Sequence, residues 1–320
     1  PSFWRKKNLT SLFFLPISYI FYLFYLIYFK IKKEVKINTP VLCVGNVVIG
    51  GSGKTPITIK LRKILSKKFS NIFVLTRGYK GLKKGPFIFK KKSIFTEVGD
   101  EGILHSHFGT TCMSKNKTLG AVYCEKNKSD LIIMDDGLQS RNVKKQVSLL
   151  VVDSEYAFGN ERIFPAGPLR QSINFSLKLS DEVIIIDNSN NYLKHKVLKD
   201  KKLFFAKKNI KIRKLHNRKI FAFCGLGNNK NFLNGLNQLN YDVQKFKEFP
   251  DHHIYKTNEI KKIINYAKLN KLSIVCTKKD YLKIPDKLKK DIYVADLDIK
   301  IINEKKFFDF LVKKLNSKKN

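Results

Sequence analysis

Acidic residues are scarce in this chain: 26 Asp and Glu stand against 63 Lys and Arg, a formal net charge of +37 over 320 residues. Such a surface favours anionic partners, whether membrane headgroups, nucleic acid or acidic substrates. A lysine-rich, arginine-poor composition bias would give the same balance, so charge alone selects none of them. Cysteine is thin as well, and the five present (Cys43, Cys112, Cys124, Cys224, Cys276) form no C-x-x-C pair. That leaves no zinc-site pattern and suits free thiols in a reducing compartment. Hydrophobic residues still make up 43% of the chain, which excludes global disorder and allows two domains.

One run lacks charge altogether. From Ser11 to Phe29 the chain is uncharged and mostly apolar or aromatic, and as a helix it would cover about 28 Å, close to a hydrocarbon core. Arg5, Lys6 and Lys7 precede it and Lys30, Lys32 and Lys33 follow, so the positive-inside rule sets no orientation. Tyr19, Tyr22, Tyr25 and Tyr28 recur every third residue and Pro16 interrupts the start, which suits a helix that spans, tilts or lies in the interface. No small-residue cleavage site follows it, against a signal peptide. The expectation is a membrane-associated helix within residues 1–34.

An apolar run from Val41 to Val48 feeds the stretch Gly45-Asn46-Val47-Val48-Ile49-Gly50-Gly51-Ser52-Gly53-Lys54-Thr55-Pro56. This is the strand–loop–helix grammar of a phosphate-binding loop. Backbone N–H groups of Gly50, Gly51, Ser52 and Gly53 cradle phosphates, Lys54 supplies charge, and the Thr55 hydroxyl can ligate Mg²⁺. One departure is plain: Val48 stands where the pattern has its first glycine. An NTP site, and with it ATP and Mg²⁺, is the expectation.

Short apolar runs at 72–75, 131–134, 149–152 and 183–186 are what a parallel sheet covered on both faces requires. Residues 35–203 therefore read as a doubly wound α/β domain of P-loop NTPase type. Phe204 to Ile212 reads as two short strand pieces broken by Lys207-Lys208-Asn209, a hairpin within a two-stranded linker at 204–218. A second strand–glycine–helix unit, with Gly225-Leu226-Gly227, opens a smaller C-terminal α/β domain at 219–320.

Ile132-Ile133-Met134-Asp135-Asp136-Gly137 is a strand ending in acids, so Asp135 or Asp136 is a metal-site residue. Val98-Gly99-Asp100-Glu101 precedes an expected helix, where Asp100 serves either as an N-cap or as general base for a hydroxyl acceptor. Phe249-Pro250-Asp251-His252-His253 sets a carboxylate beside two imidazoles, in a plain surface loop or in a proton-sharing site. Arg77 and Arg170, in Arg77-Gly78-Tyr79 and Pro165-Ala166-Gly167-Pro168-Leu169-Arg170, stand where strand ends would present them to phosphates. His105 and His107, two apart in an expected helix, face different ways and make poor joint metal ligands.

Assembled in this order, these residues resemble the tetraacyldisaccharide 4'-kinase (lipid A 4'-kinase) family. The likeness runs end to end, from Phe3-Trp4 through the glycine loop, Arg77-Gly78-Tyr79, Val98-Gly99-Asp100-Glu101, Asp135-Asp136-Gly137-Leu138-Gln139, Pro165–Arg170 and Asp251-His252-His253 to Thr277-Lys278-Lys279-Asp280. The family's loop also lacks the first glycine. The resemblance implies transfer of the γ-phosphate of ATP to the 4'-hydroxyl of a tetraacylated glucosamine disaccharide 1-phosphate, giving lipid IVA at the cytoplasmic face of the Gram-negative inner membrane. It implies Asp100 as base with His252 as partner, Lys54 on the phosphates, and Thr55 with Asp135 and Asp136 as Mg²⁺ ligands. Asn46, Arg77 and Arg170 are the expected substrate contacts. An anionic acylated glucosamine lipid and the inner-membrane surface are the implied partners, and no nucleic acid is expected. With base and histidine in different domains, catalysis would need domain closure.

Three departures stand out. Gln171 replaces the family's usual Glu, which would remove a negative charge near the metal. Lys278 replaces a Glu, and Val122 to Lys128 carries Lys where the family tends to carry Arg. The competing reading is a membrane-tethered P-loop ATPase or GTPase acting in assembly or in binding nucleic acid or anionic lipid. For guanine it would want Asn-Lys-x-Asp, which Thr277-Lys278-Lys279-Asp280 only imitates.

Overall fold

Apolar runs with no polar side become the central strands of one parallel sheet, since strands covered on both faces bury every side chain. A computed structural model describes residues 1–89, 95–187, 198, 200–213, 215, 217–227 and 229–317. Within them the strands are β1 (Val41–Gly45), β2 (Ile72–Thr76), β3 (Phe87–Phe89), β4 (Thr111–Met113), β5 (Leu131–Asp135), β6 (Val147–Asp153), β7 (Glu182–Ile186), β8 (Leu203–Ile212), β9 (Lys219–Cys224), β10 (Asp242–Glu248), β11 (Ser273–Thr277) and β12 (Ile292–Ile301). They form a single twelve-stranded sheet in the order β10-β9-β11-β12-β8-β7-β6-β1-β5-β2-β4-β3. Only the β8–β12 and β3–β4 pairings are antiparallel.

The sheet corrects the linker expectation. Residues 203–212 form one continuous strand rather than a hairpin, and its antiparallel partner is β12, with Ala295 opposite Ile212 and Ile301 opposite Ala206. Lys207-Lys208-Asn209 looks like a turn because it is polar. In the strand, however, Lys208 pairs with Asp153, so the polar triplet needs no bend. β8 also pairs in parallel with β7, and β12 with β11, so the ribbon carries one sheet across both halves.

The helices α3 (Lys54–Leu65) and α10 (Glu304–Asn316) cover one face of the nucleotide half. Ile57, Leu61, Ile64 and Leu65 sit at helical spacing and pack with Leu42, Val44, Leu149 and Ile184. Phe307, Leu311 and Leu315 of α10 join that same cluster, with the Phe307 ring 4.5 Å from Phe204. The last helix thus crosses back to the first core, although the sequence assigns it to the C-terminal unit. The smaller half has its own two layers. α7 (Asn229–Gln238) packs through Phe232 and Leu236, and α8 (Thr257–Leu269) through Ile260, Ile263 and Ala267.

The uncharged N-terminal run folds as α1 (Leu9–Phe13) and α2 (Leu15–Ile31), divided at Phe14 just before Pro16. Among the described residues no helix is long and apolar enough to cross a membrane. α2 lies against the loop around residues 160–175. Ser18 Oγ donates to the Ile163 carbonyl at 2.8 Å, Tyr22 OH lies 3.2 Å from Ser172 Oγ, and Tyr25 OH donates to Gln171. Its other side stays open: Tyr19 is 72% exposed, Phe24 67% and Ile31 71%.

Candidate active site

β1, β2, β5 and β6 run parallel, so their carboxyl ends gather on one edge, and the glycine loop leaves β1 there. Gly53 caps α3 in the left-handed conformation, so Lys54 and Thr55 occupy its first turn with amide groups facing the loop. Val48 is tolerated without a glycine's freedom because the Pro165–Arg170 segment pairs with this stretch. Ile49 N donates to Pro168 O, and Arg170 N to Val47 O. The Ser52 hydroxyl is buried and has no partner among the described residues, as suits a donor awaiting a phosphate oxygen.

Asn46 is fully buried, donating to Val48 O at 2.7 Å and accepting from Lys54 Nζ at 3.0 Å, so it braces the loop lysine. Arg77 lies exposed just beyond β2. Arg170 Nη1 donates to both Asp136 oxygens, at 2.9 and 3.0 Å.

The two strand-end acids divide. Asp135 is buried and accepts from Thr55 Oγ1 at 3.2 Å, from Thr58 Oγ1 at 3.3 Å, and meets His105 Nε2 at 2.7 Å. Burial pushes its carboxyl up, but the His105 contact and Lys54 outweigh that and hold it below the ordinary range. Asp136 is likewise held low, since Lys54, Arg170 and Lys117 overcome its burial. Glu101 moves the other way: burial, then the nearby Asp135, push it up.

Among the described residues no cluster of three or more His, Cys, Asp or Glu side chains makes a metal cage. The donors present fit Mg²⁺ nonetheless, because this ion takes one or two carboxylates and completes its shell with phosphate oxygens and water. Thr55 Oγ1 beside Asp135 Oδ2 supplies that partial set.

Asp100 stands on α4 (Phe95–Ser106), immediately after Gly99, whose φ of 76° breaks the helix. A Cβ at Gly99 would come 2.3 Å from the Tyr79 carbonyl oxygen, so only glycine lets this turn pass beneath Tyr79. The Asp100 side chain reaches across to the other half, where His252 Nδ1 lies 2.6 and 2.8 Å from its two oxygens. Lys279 Nζ is 3.3 Å away and Lys283 Nζ 4.0 Å. Burial raises the Asp100 carboxyl, yet the His252 hydrogen bond and these two lysines hold it well below the carboxylate range. His253 turns away to Glu259.

The sequence reading missed three participants. His105 joins Thr55 and Thr58 on Asp135, at 2.7 Å. Lys117 donates to the carbonyls of Asp135 and Asp136 from α5 (Lys117–Lys126), a helix set where only Val122 to Lys128 had drawn notice. Lys279 lay inside a quoted motif with no role attached. Gln171, which stands where the family usually has Glu, is fully buried, accepts from Tyr25 OH and donates to Ser176 Oγ at 2.8 Å, so its amide anchors α2. Lys278 reaches Asp296 at 3.0 Å. Asp280 is fully buried, accepting from Gly225 N and Thr277 Oγ1, so Thr277–Asp280 is no base-reading element.

Comparison with known proteins follows the same lines. The family described as tetraacyldisaccharide-1-P 4'-kinase (LpxK) matches residues 10–316. A tetraacyldisaccharide 4'-kinase of Rickettsia canadensis is 32% identical over 309 residues, covering 95% of this chain and 93% of the relative. One from Paramagnetospirillum magneticum is 32% identical over 303 residues, covering 93% of each. The crystal structure of the "apo" form of LpxK from Aquifex aeolicus in complex with ATP shares the fold, with a TM-score of 0.79 at 23% identity over 95% of this chain and 99% of that one. This chain belongs to the tetraacyldisaccharide 4'-kinase family.

Proposed function

We propose that this chain transfers the γ-phosphate of ATP to the 4'-hydroxyl of tetraacyldisaccharide 1-phosphate, forming lipid IVA. The observation that carries the mechanism is the 2.6 Å contact between Asp100 of the nucleotide half and His252 of the C-terminal half. Such a pair beside a phosphate loop is what a hydroxyl acceptor needs. Asp100 takes the 4'-hydroxyl proton as the oxygen attacks, while His252 orients the carboxylate and shares the proton's charge. Lys54, braced by Asn46, neutralises charge on the transferring phosphoryl group, and the loop amides hold it in line. Arg170 fixes Asp136, and Arg77, exposed at the same sheet edge, is available to an anionic substrate. Thr55 and Asp135 would hold Mg²⁺, which when bound screens the phosphate charges.

The dyad draws one residue from each half of the continuous sheet, and closure of the two halves over the loop would keep water from the γ-phosphate. The turn at Gly227 comes close to the phosphate loop: a Cβ there would be 4.0 Å from the Gly51 amide nitrogen.

The open side of α1 and α2 lies in the interface at the cytoplasmic face of the inner membrane. Leu9, Phe13, Tyr19, Phe24 and Ile31 are all exposed apolar side chains on a docked segment, which supports peripheral attachment. Basic residues at both ends add attraction to anionic lipid.

Incubation with ATP, Mg²⁺ and detergent-solubilised tetraacyldisaccharide 1-phosphate tests the reading by mass spectrometry. A lipid product one phosphate heavier is expected. ATP hydrolysis with unmodified lipid would favour the tethered NTPase instead.

A further inference from the structure

The Asp100–His252 contact does not stand alone. The cation Lys279, on the short helix α9 (Lys278–Tyr281), sits between two carboxylates that belong to different halves of the molecule. Its Nζ lies 3.3 Å from Asp100 Oδ2 and donates to Asp251 Oδ1 at 3.0 Å, and its side chain is only 18% exposed. Asp251 turns its other oxygen toward His252 Nε2, 3.5 Å away. His252 itself holds a left-handed φ of 65°, a conformation uncommon outside glycine.

We infer that Lys279 is a positioning residue for phosphoryl transfer: its ammonium clamps Asp100 of one half to Asp251 of the other and so holds His252 against the base. The inference rests on the reading of Asp100 as general base. Other groups facing Asp100 do not duplicate the clamp. Lys283 is drawn to Asp280 at 2.9 Å and remains 4.0 Å from Asp100. Glu101 adjoins it on α4 and feels Asp135 and Lys54 ahead of Lys279, and Tyr79 meets His252 ring to ring, at 5.2 Å. Lys279 is therefore the cation among these that bonds to the histidine loop while facing the base.

A point charge held between two carboxylates does two things. It fixes the distance between the lobes at the dyad, and it favours the ionised base. Removing the charge while keeping the bulk, as in Lys279→Met, should loosen both. A lost structural contact far from the chemistry would lower stability without changing the pH dependence of catalysis.

Steady-state phosphorylation of tetraacyldisaccharide 1-phosphate is measured from acid to alkaline pH for wild type, Lys279→Met, Lys279→Arg and Asp100→Asn. Lys279→Met is expected to lower kcat by roughly ten- to a hundredfold with KM for ATP within about twofold of wild type. The acid limb of its kcat/KM profile moves to higher pH, and Lys279→Arg, which keeps the charge, recovers most of the rate. A Lys279→Met profile superimposed on wild type, or a loss confined to KM for ATP, overturns the inference. Should Lys279→Met fail to fold, Asp251→Asn removes the clamp's other end and must lower kcat in the same sense; an unchanged rate there also overturns it. Asp100→Asn separates the two readings. If it keeps full activity, the base assignment falls and the clamp with it. If it is inactive while Lys279→Met is normal, only the clamp falls.

Discussion

His252 Nδ1 lies 2.6 and 2.8 Å from the two carboxylate oxygens of Asp100, across 152 residues of sequence. Two groups that share one proton act as a unit. Asp100→Ala should therefore lower kcat by about three orders of magnitude and His252→Ala by about two, with the double variant little worse than Asp100→Ala alone. Additive losses in a double-mutant cycle would mean that the two side chains act independently.

Gln171 offers a test of structure without chemistry. Gln171→Ala leaves Tyr25 OH and Ser176 Oγ without their buried partner, which costs about 1–3 kcal/mol. The melting temperature should fall while the Mg²⁺ dependence of the rate stays as in wild type. A shifted Mg²⁺ requirement would put this side chain at the metal after all.

Glu101 and Asp100 respond to pH in opposite senses. Burial and Asp135 raise Glu101 above its ordinary 4.5, so its ionised form costs stability at any pH above that value. Glu101→Gln should then raise the melting temperature at pH 8 and do much less near pH 4, where the carboxyl is already protonated in both states. Asp100, Asp135 and Asp136 are held below 3.8, so their stabilisation is complete above that value and fades as pH falls from it toward their lower folded-state values. Acid should therefore unfold the nucleotide half, an outcome that thermal melts at pH 7 and pH 3 would check.

The exposed face of the N-terminal helices carries the membrane prediction. Replacing Phe13, Phe24 and Ile31 by Ser removes roughly 1.5–3 kcal/mol of insertion per side chain. Sedimentation with anionic vesicles should lose most of the bound protein, while turnover of detergent-dispersed acceptor stays near wild type. Unchanged sedimentation would mean that another surface meets the lipid.

Much of this arrangement is legible in the sequence where it is local. The runs at 131–134 and 183–186 announce buried parallel strands because both faces are covered, and the glycine loop announces its own turn. β10, Asp-Val-Gln-Lys-Phe-Lys-Glu, is an edge strand with mostly open side chains, so no apolar run marks it. The join between β8 and β12 depends on residues about 90 positions apart, such as Ala206 and Ile301, which no local pattern encodes. His105, Lys117 and Lys279 were missed for the same reason. Their partners lie on other elements, and a lone His or Lys has no spacing to betray it. The burial of Asn46 and Gln171 is not legible either, because a motif lists neighbours in sequence and is silent on which side chains point inward.

The most direct measurement is transfer of radiolabelled γ-phosphate from ATP to tetraacyldisaccharide 1-phosphate by wild type and Asp100→Asn, followed by location of the label on the sugar. The account predicts label at the 4' position with wild type and a loss of roughly a thousandfold with Asp100→Asn. Label absent from the lipid while ATP is hydrolysed, or transfer undiminished in Asp100→Asn, would contradict it.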